Sequence, residues 1–138
     1  MEIIKKHFVE HTDSRGKLIA IEAEKDVPFQ IQRVYYIYDT KDGAPRGFHA
    51  HKELQQYLVC MHGRCKVLLD DGEERVVIEL NDPSEGLYIG PSTWREMYDF
   101  SPDAVLVVFA SMRYDESDYI RDYDDFLQSV QRKGKAQI

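Results

Sequence analysis

From Lys17 to Ala110 the chain alternates short apolar, β-branched and aromatic runs with turn residues, the pattern of consecutive strands. The clearest runs span 18–23, 33–39, 56–61, 65–70, 75–80, 86–90 and 104–110. His62-Gly63 and Asp71-Gly72 punctuate successive runs as hairpin turns that need positive φ would. Pro45, Pro83, Pro91 and Pro102 fall between runs, where proline is tolerated. Only 117–133 changes period: Tyr119, Ile120, Tyr123, Phe126, Leu127 and Val130 recur at spacings of three and four, with Ser117 placed to cap. The pattern predicts an all-β barrel or sandwich with one C-terminal helix packed outside. No linker or repeat divides residues 1–138, so a single domain is expected.

Composition narrows what such a domain does. An apolar share of 43% is that of a globular chain, and only the stretch from Arg132 to Ile138 reads as a frayed tail. With 25 acidic against 18 basic residues the formal charge is −7, which argues against a nucleic-acid partner. No apolar run approaches membrane-spanning length and the first residues do not form a signal peptide, so no membrane partner and a cytoplasmic location are expected. Cys60 and Cys65 fit neither a disulfide framework nor a C-x-x-C motif and read as reduced structural residues.

The segment from Gly43 through His49, His51 and Gln56 to Gly63 holds the most chemistry. Two histidines at i and i+2 on a strand share a face and can converge on one ligand. The spacing resembles the first motif of the cupins, in which a glycine precedes H-x-H, an acid follows and a glycine closes the hairpin. Here Gln56 stands at the acidic position, and Arg95 and Glu96 stand where a second motif would bring another histidine. Two good ligands are too few for a tightly held metal, so neither metal nor cofactor is expected.

Taken together, D13-S-R-G-K-L, R33-V-Y-Y-I-Y-D, P45-R-G-F-H-A-H-K, G86-L-Y-I-G-P-S-T-W and Y114-D-E-S-D-Y-I-R resemble the dTDP-4-keto-6-deoxyglucose 3,4-ketoisomerases, relatives of the dTDP-sugar 3,5-epimerases within the cupin superfamily. The resemblance runs from about Asp13 to Phe126. It implies a cupin jelly-roll barrel, and a ketone moved between C-4 and C-3 of a dTDP-linked 6-deoxyhexose through an enediol, feeding 3-amino-sugar synthesis for surface polysaccharide.

That chemistry needs a base for the C-3 proton and a donor at C-4, and imidazoles titrate in the right range. His49 is the expected base and His51 its relay partner, although the reverse order stays open. Arg46 and an inward-facing Tyr36 are the expected partners of the enediolate. Arg15 and Arg95 suit the diphosphate, and Trp94 the thymine. Arg95 stands where related sequences carry histidine, which leaves the C-4 configuration of the product open. The acidic run from Asp115 reads as a solvated helix face holding no catalytic carboxylate. Rival readings are a 3,5-epimerase and a non-catalytic sugar-nucleotide-binding cupin. A homodimer is the default assembly.

Overall fold

A computed structural model describes residues 1–40 and 44–136, with side chains as far as Arg132. Twelve strands precede one helix: β1 (Lys5–His7), β2 (Glu10–Asp13), β3 (Gly16–Ile19), β4 (Arg33–Ile37), β5 (Arg46–His51), β6 (Gln56–His62), β7 (Cys65–Asp70), β8 (Arg75–Leu80), β9 (Glu85–Ile89), β10 (Trp94–Tyr98), β11 (Val105–Ala110), β12 (Tyr119–Ile120) and α1 (Tyr123–Ala136). They form two five-stranded sheets, ordered β1-β9-β6-β11-β4 and β12-β5-β10-β7-β8, with β2 and β3 as a separate ribbon. Every strand pairing is antiparallel. This is the two-sheet jelly roll expected of a cupin.

The core between the sheets follows strand alternation. Cys65, Val67 and Leu69 of β7 meet Leu58 and Cys60 of β6 and Leu106 and Val108 of β11, all buried. Each such aliphatic side chain contributes about 1.5–3 kcal/mol of burial. Tyr57 and Val59 of β6 face the other way, onto Phe8, Val27 and Phe29 of the N-terminal segment, so the first sheet is covered on both faces. Both cysteines are buried and form no disulfide. Gly63 and Gly72 take φ of 70° and 98° at the two hairpin turns.

The structure departs from the sequence pattern at its edges. The run 18–23 is strand only to Ile19, and β1, β2, β10 and β12 had no apolar run to mark them. In β10 the charged Arg95 and the Met97 beyond it are both buried, so its inward face does not read as apolar. Helix α1 starts at Tyr123, with Asp122 as its cap in place of Ser117: the Asp122 carboxylate accepts from the amide of Asp125 at 3.0 Å. Glu116–Asp118 is instead a 3₁₀ turn, and Tyr119–Ile120 pairs with His51 and Ala50. The tail expected to fray from Arg132 is helical as far as Ala136; residues 137–138 lie outside the described set, as does Gly43 of the histidine motif.

Helix α1 lays Phe126, Tyr123, Leu127 and Val130 over Ala50 and Trp94 on the outside of the second sheet. Its first turn is tied to the β7–β8 hairpin by the buried Asp70 carboxylate, which accepts from Tyr123 Oη at 2.5 Å, Arg75 Nε at 2.9 Å and the Gly72 amide at 2.7 Å. The open end of the barrel is left to β4, β5, β10 and the segment carrying β12.

Candidate active site

Strand β5 brings His49 and His51 to the inner face, with ring centroids 4.9 Å apart. The Nδ1 of each ring meets a group that can only accept. His49 Nδ1 donates to the Gly47 carbonyl and His51 Nδ1 to the Asp118 carboxylate, both at 3.0 Å. Each neutral ring therefore presents Nε2 as a lone pair. His49 lines a cavity of 410 Å³, while His51, 1% exposed, lies deeper, and its Nε2 is buried without a partner. Asp118 also accepts from the amides of Glu53 and Leu54, which fixes the carboxylate under the ring.

Burial, with the nearby Arg95 cation second, lowers the pKa of His49 to about 4. Burial likewise holds His51 far below the usual histidine range, reinforced by Arg95, His49 and Arg33. Asp118 pulls the other way on His51, but two backbone amides already occupy its oxygens. Both imidazoles are neutral at pH 7, with the Nε2 lone pair of each unprotonated.

Arg95 is wholly enclosed, 1% exposed, with one guanidinium nitrogen donating to Gln56 Oε1, another to the Thr93 carbonyl at 3.0 Å, and Nε unpartnered. Burial lowers its pKa to about 10, which keeps it cationic at neutral pH. Gln56, at the acidic position of the cupin pattern, thus bridges Arg95 to the Tyr35 hydroxyl, to which its Nε2 donates at 3.1 Å. Among the described residues no three His, Cys, Asp or Glu side chains converge as metal ligands.

The rest of the wall is aromatic and cationic. Arg33 lies between the rings of Tyr35 and Tyr114, 5.4 and 5.6 Å from their centroids. Tyr119 stacks beside both histidines, its centroid 4.3 Å from His51 and 5.0 Å from His49, with Arg121 4.2 Å above it. Arg121 is held as a two-pronged fork by Glu116 at 2.7 and 2.9 Å. Arg46 completes the rim. Arg33, Arg46 and Arg121 against Glu116 leave the cavity mouth cationic on a chain of charge −7.

Of the residues expected at the site, His49, His51 and Arg46 come together, and four do not take the expected places. Tyr36 faces out, 62% exposed, and Tyr35 faces the cavity: the inward set of β4 is Arg33, Tyr35 and Ile37. Trp94 cannot reach a ligand in the cavity because it points outward beneath α1, packed on Tyr123 at 5.2 Å and bonded through Nε1 to Glu96 at 2.9 Å. Arg95 is a buried neighbour of the histidines, not a surface fork for phosphate. Arg15 sits on the β2–β3 ribbon, its side chain 88% exposed and paired with Asp13 at 2.6 Å, in a groove separate from the histidine cavity.

Sequence reasoning also missed Asp118, Tyr119, Arg33, Tyr114 and Arg121. The helical spacing puts the acidic run on a solvated face, yet Asp118 is buried against His51. For Tyr119 and Arg121 the signal is their two-residue spacing on the cavity side, inside a segment of helical period; Asp118, in the 3₁₀ turn, carries none.

Residues 1–131 match the family described as FdtA: WxcM-like, C-terminal. A TDP-4-oxo-6-deoxy-α-D-glucose-3,4-oxoisomerase of Aneurinibacillus thermoaerophilus is 56% identical over 124 residues, 90% of this chain and 89% of that one. Among solved structures, a 3,4-ketoisomerase from Helicobacter canadensis superposes with a TM-score of 0.92 at 52% identity, covering 95% of this chain and 98% of the other. A mutant of the 3,4-ketoisomerase QdtA from Thermoanaerobacterium thermosaccharolyticum, solved with TDP-4-keto-6-deoxyglucose, gives the same TM-score at 46% identity and 94% coverage of each chain. A 3'-monoepimerase from Streptomyces bikiniensis, at 20% identity and a TM-score of 0.73, shares the fold alone. With its sequence and its barrel matched along almost their whole length, this chain belongs to the WxcM-like sugar 3,4-ketoisomerase family and is an isomerase.

Proposed function

We propose that the chain converts dTDP-4-keto-6-deoxyglucose to its 3-keto isomer through an enediol, with His49 and His51 carrying the protons. The observation that supports this best is the pair of neutral imidazoles, each with Nδ1 committed to an acceptor and Nε2 left open. The C-4 ketone acidifies the C-3 hydrogen. His49, at the cavity wall, takes that proton through Nε2, and the electron pair forms the C-3 to C-4 double bond as O4 becomes anionic. Delivery of a proton to C-4 then places the carbonyl at C-3, while the O3 proton is lost and O4 regains one, so the reaction balances without any oxidant. His51, braced by Asp118, serves the second transfer. The enclosed Arg95 cation, behind the cavity wall, favours the enediolate through its field and not by direct contact.

Arg33, Arg46 and Arg121 supply the cationic mouth for the diphosphate, Arg46 thus leaving the enediolate role expected of it, and Tyr114 and Tyr119 supply the aromatic surface expected of Trp94. The reading extends to a cytoplasmic homodimer whose product is consumed by an aminotransfer reaction at the new C-3 ketone. Arg15 would touch nucleotide only across such a dimer, since within one chain its ribbon lies apart from the cavity.

Proton NMR of the 4-keto substrate with purified protein in deuterated water tests the reading. Deuterium at C-4 of a 3-keto product is expected. Label at C-3 and C-5 with the ketone unmoved would make the protein an epimerase, and no label above background would make it a binding barrel. Light scattering should give twice the mass of one chain; a monomer that turns over would remove the dimer.

A further inference from the structure

Strand β5 does not alternate regularly through the site. Arg95 pairs with His49 and Glu96 with Gly47, so two consecutive residues of β10 face residues of β5 that are two apart. Phe48 is left without a partner, the geometry of a β-bulge. Both bulge residues have positive φ, 95° at Gly47 and 56° at Phe48. Glycine adopts such a conformation freely, whereas phenylalanine does so at a cost. A Cβ at Gly47 would also lie 3.0 Å from the Arg95 carbonyl oxygen. The Phe48 ring is exposed and does not line the cavity, so nothing in its side chain explains the strain.

The backbone explains it. In an uninterrupted strand Arg46 and His49, three residues apart, would face opposite sides. Arg46 would then join Phe48 and Ala50 on the outer face, away from the ligand. The extra residue shifts the phase, and Arg46 lines the same cavity as His49. The same bulge turns the Gly47 carbonyl onto His49 Nδ1, the contact that fixes its tautomer.

We propose that the Gly47–Phe48 bulge is a positioning device that sets two parts of the site at once: Arg46 as a substrate-binding residue at the cavity mouth and His49 in the tautomer with Nε2 open. Gly47 and Phe48 act through these neighbours and do not touch substrate. The inference rests on the ketoisomerase reading, in which Arg46 meets the sugar nucleotide and His49 meets C-3.

Comparing Phe48→Gly with Phe48→Val tests it, because both remove the ring and only glycine accepts the left-handed backbone. Phe48→Gly should hold KM and kcat within about twofold of the parent. Phe48→Val should raise KM and lower kcat, each by roughly tenfold, the scale of one charged hydrogen bond misplaced. Arg46→Ala alone should raise KM by roughly 10- to 100-fold and leave kcat near the parent value. Added to Phe48→Val, it should raise KM by much less than that, since the arginine is already displaced. If Phe48→Val fails to fold by thermal melting, Phe48→Ala replaces it, with the same direction and a smaller effect. Equal impairment of the glycine and valine variants would assign the role to the ring and overturn the proposal. So would parental kinetics in a folded valine variant, or an Arg46→Ala effect on KM of the same factor in both backgrounds. Failure of the ketoisomerase reading is seen separately, as absence of C-4 deuteration by the parent protein.

Discussion

On the β5–β10 pair, His49, His51 and Arg95 face inward, while their immediate neighbours Ala50 and Trp94 face outward onto Phe126 of α1. The outer face is apolar and tightly covered. The inner face is also buried, yet it carries a guanidinium and two imidazoles. Among the described residues, the buried side-chain atoms with no partner are Nε of Arg33, Nε2 of His51 and Nε of Arg95; Arg33 lines the cavity, and His51 and Arg95 flank its His49. The other buried polar side chains among the described residues are satisfied, as Asp70 is by three donors. Hydrogen-bonding capacity left open at one place, in a fold that closes it everywhere else, is what a substrate would fill.

Removing the inner face should cost chemistry, not the fold. His49→Ala and His51→Asn are each expected to lose about 10²- to 10⁴-fold in turnover, with His49→Ala melting close to the parent. The variant that still exchanges the C-3 hydrogen of recovered substrate without forming product would lack the relay, leaving the other histidine as base. Near-parental turnover in both would dissolve the contrast between the faces. Asp118→Asn should reduce turnover by about 10²-fold with little change in KM, because an amide can present N–H to His51 and reverse its tautomer. Partial recovery in Asp118→Glu would mark the role as orientation of the ring.

The outer face should behave in the opposite sense. Phe126→Ala is expected to destabilise the fold by about 3–5 kcal/mol in urea melts while the folded fraction keeps the parental KM. Trp94→Phe makes the sharper comparison, with a smaller stability loss of about 1–2 kcal/mol and unaltered KM. A rise in KM for Trp94→Phe at parental stability would return the indole to the binding site.

Acid should separate the faces most gently. His49 is lowered to about 4 in the folded state and His51 is shifted in the same direction, against about 6.5 in an unfolded chain. The unfolded chain binds these protons first, so their contribution to stability is complete above pH 6.5 and is lost as pH falls from there toward 4. The slope is at most about 1.4 kcal/mol per pH unit for each histidine. For the same reason the acid limb of kcat/KM should lie well below pH 6.5. A limb at 6.5 would show that the free enzyme's base is not desolvated.

What could be read from the sequence divides along the same line. The bounds of β7 and β8 are legible because their inward positions are apolar throughout, and alternation alone places the H-x-H pair on one face. Trp94 and Arg95 were both assigned to ligand because sequence does not say which side of β10 is covered by a helix; the answer depends on α1, almost thirty residues later. Alternation gives two faces on β4 without ranking them, and register with the epimerase pattern selects Tyr36, the face that the structure turns outward. Asp118 is hidden because a 3₁₀ turn and two residues of strand pairing, Tyr119 to His51 and Ile120 to Ala50, interrupt a run whose apolar spacing otherwise suits a helix.

The contact between Asp118 and His51 spans 67 positions. During synthesis the strands through β11 emerge before Asp118 does, and they can collapse as a barrel around a His51 that still lacks its acceptor. The barrel's own pairings span as much, 77 positions from Arg33 of β4 to Ala110 of β11, so it is the late emergence of Asp118 and not loop length that would set the dyad after the sheets. A nascent chain of this protein would acquire its shape before its chemistry.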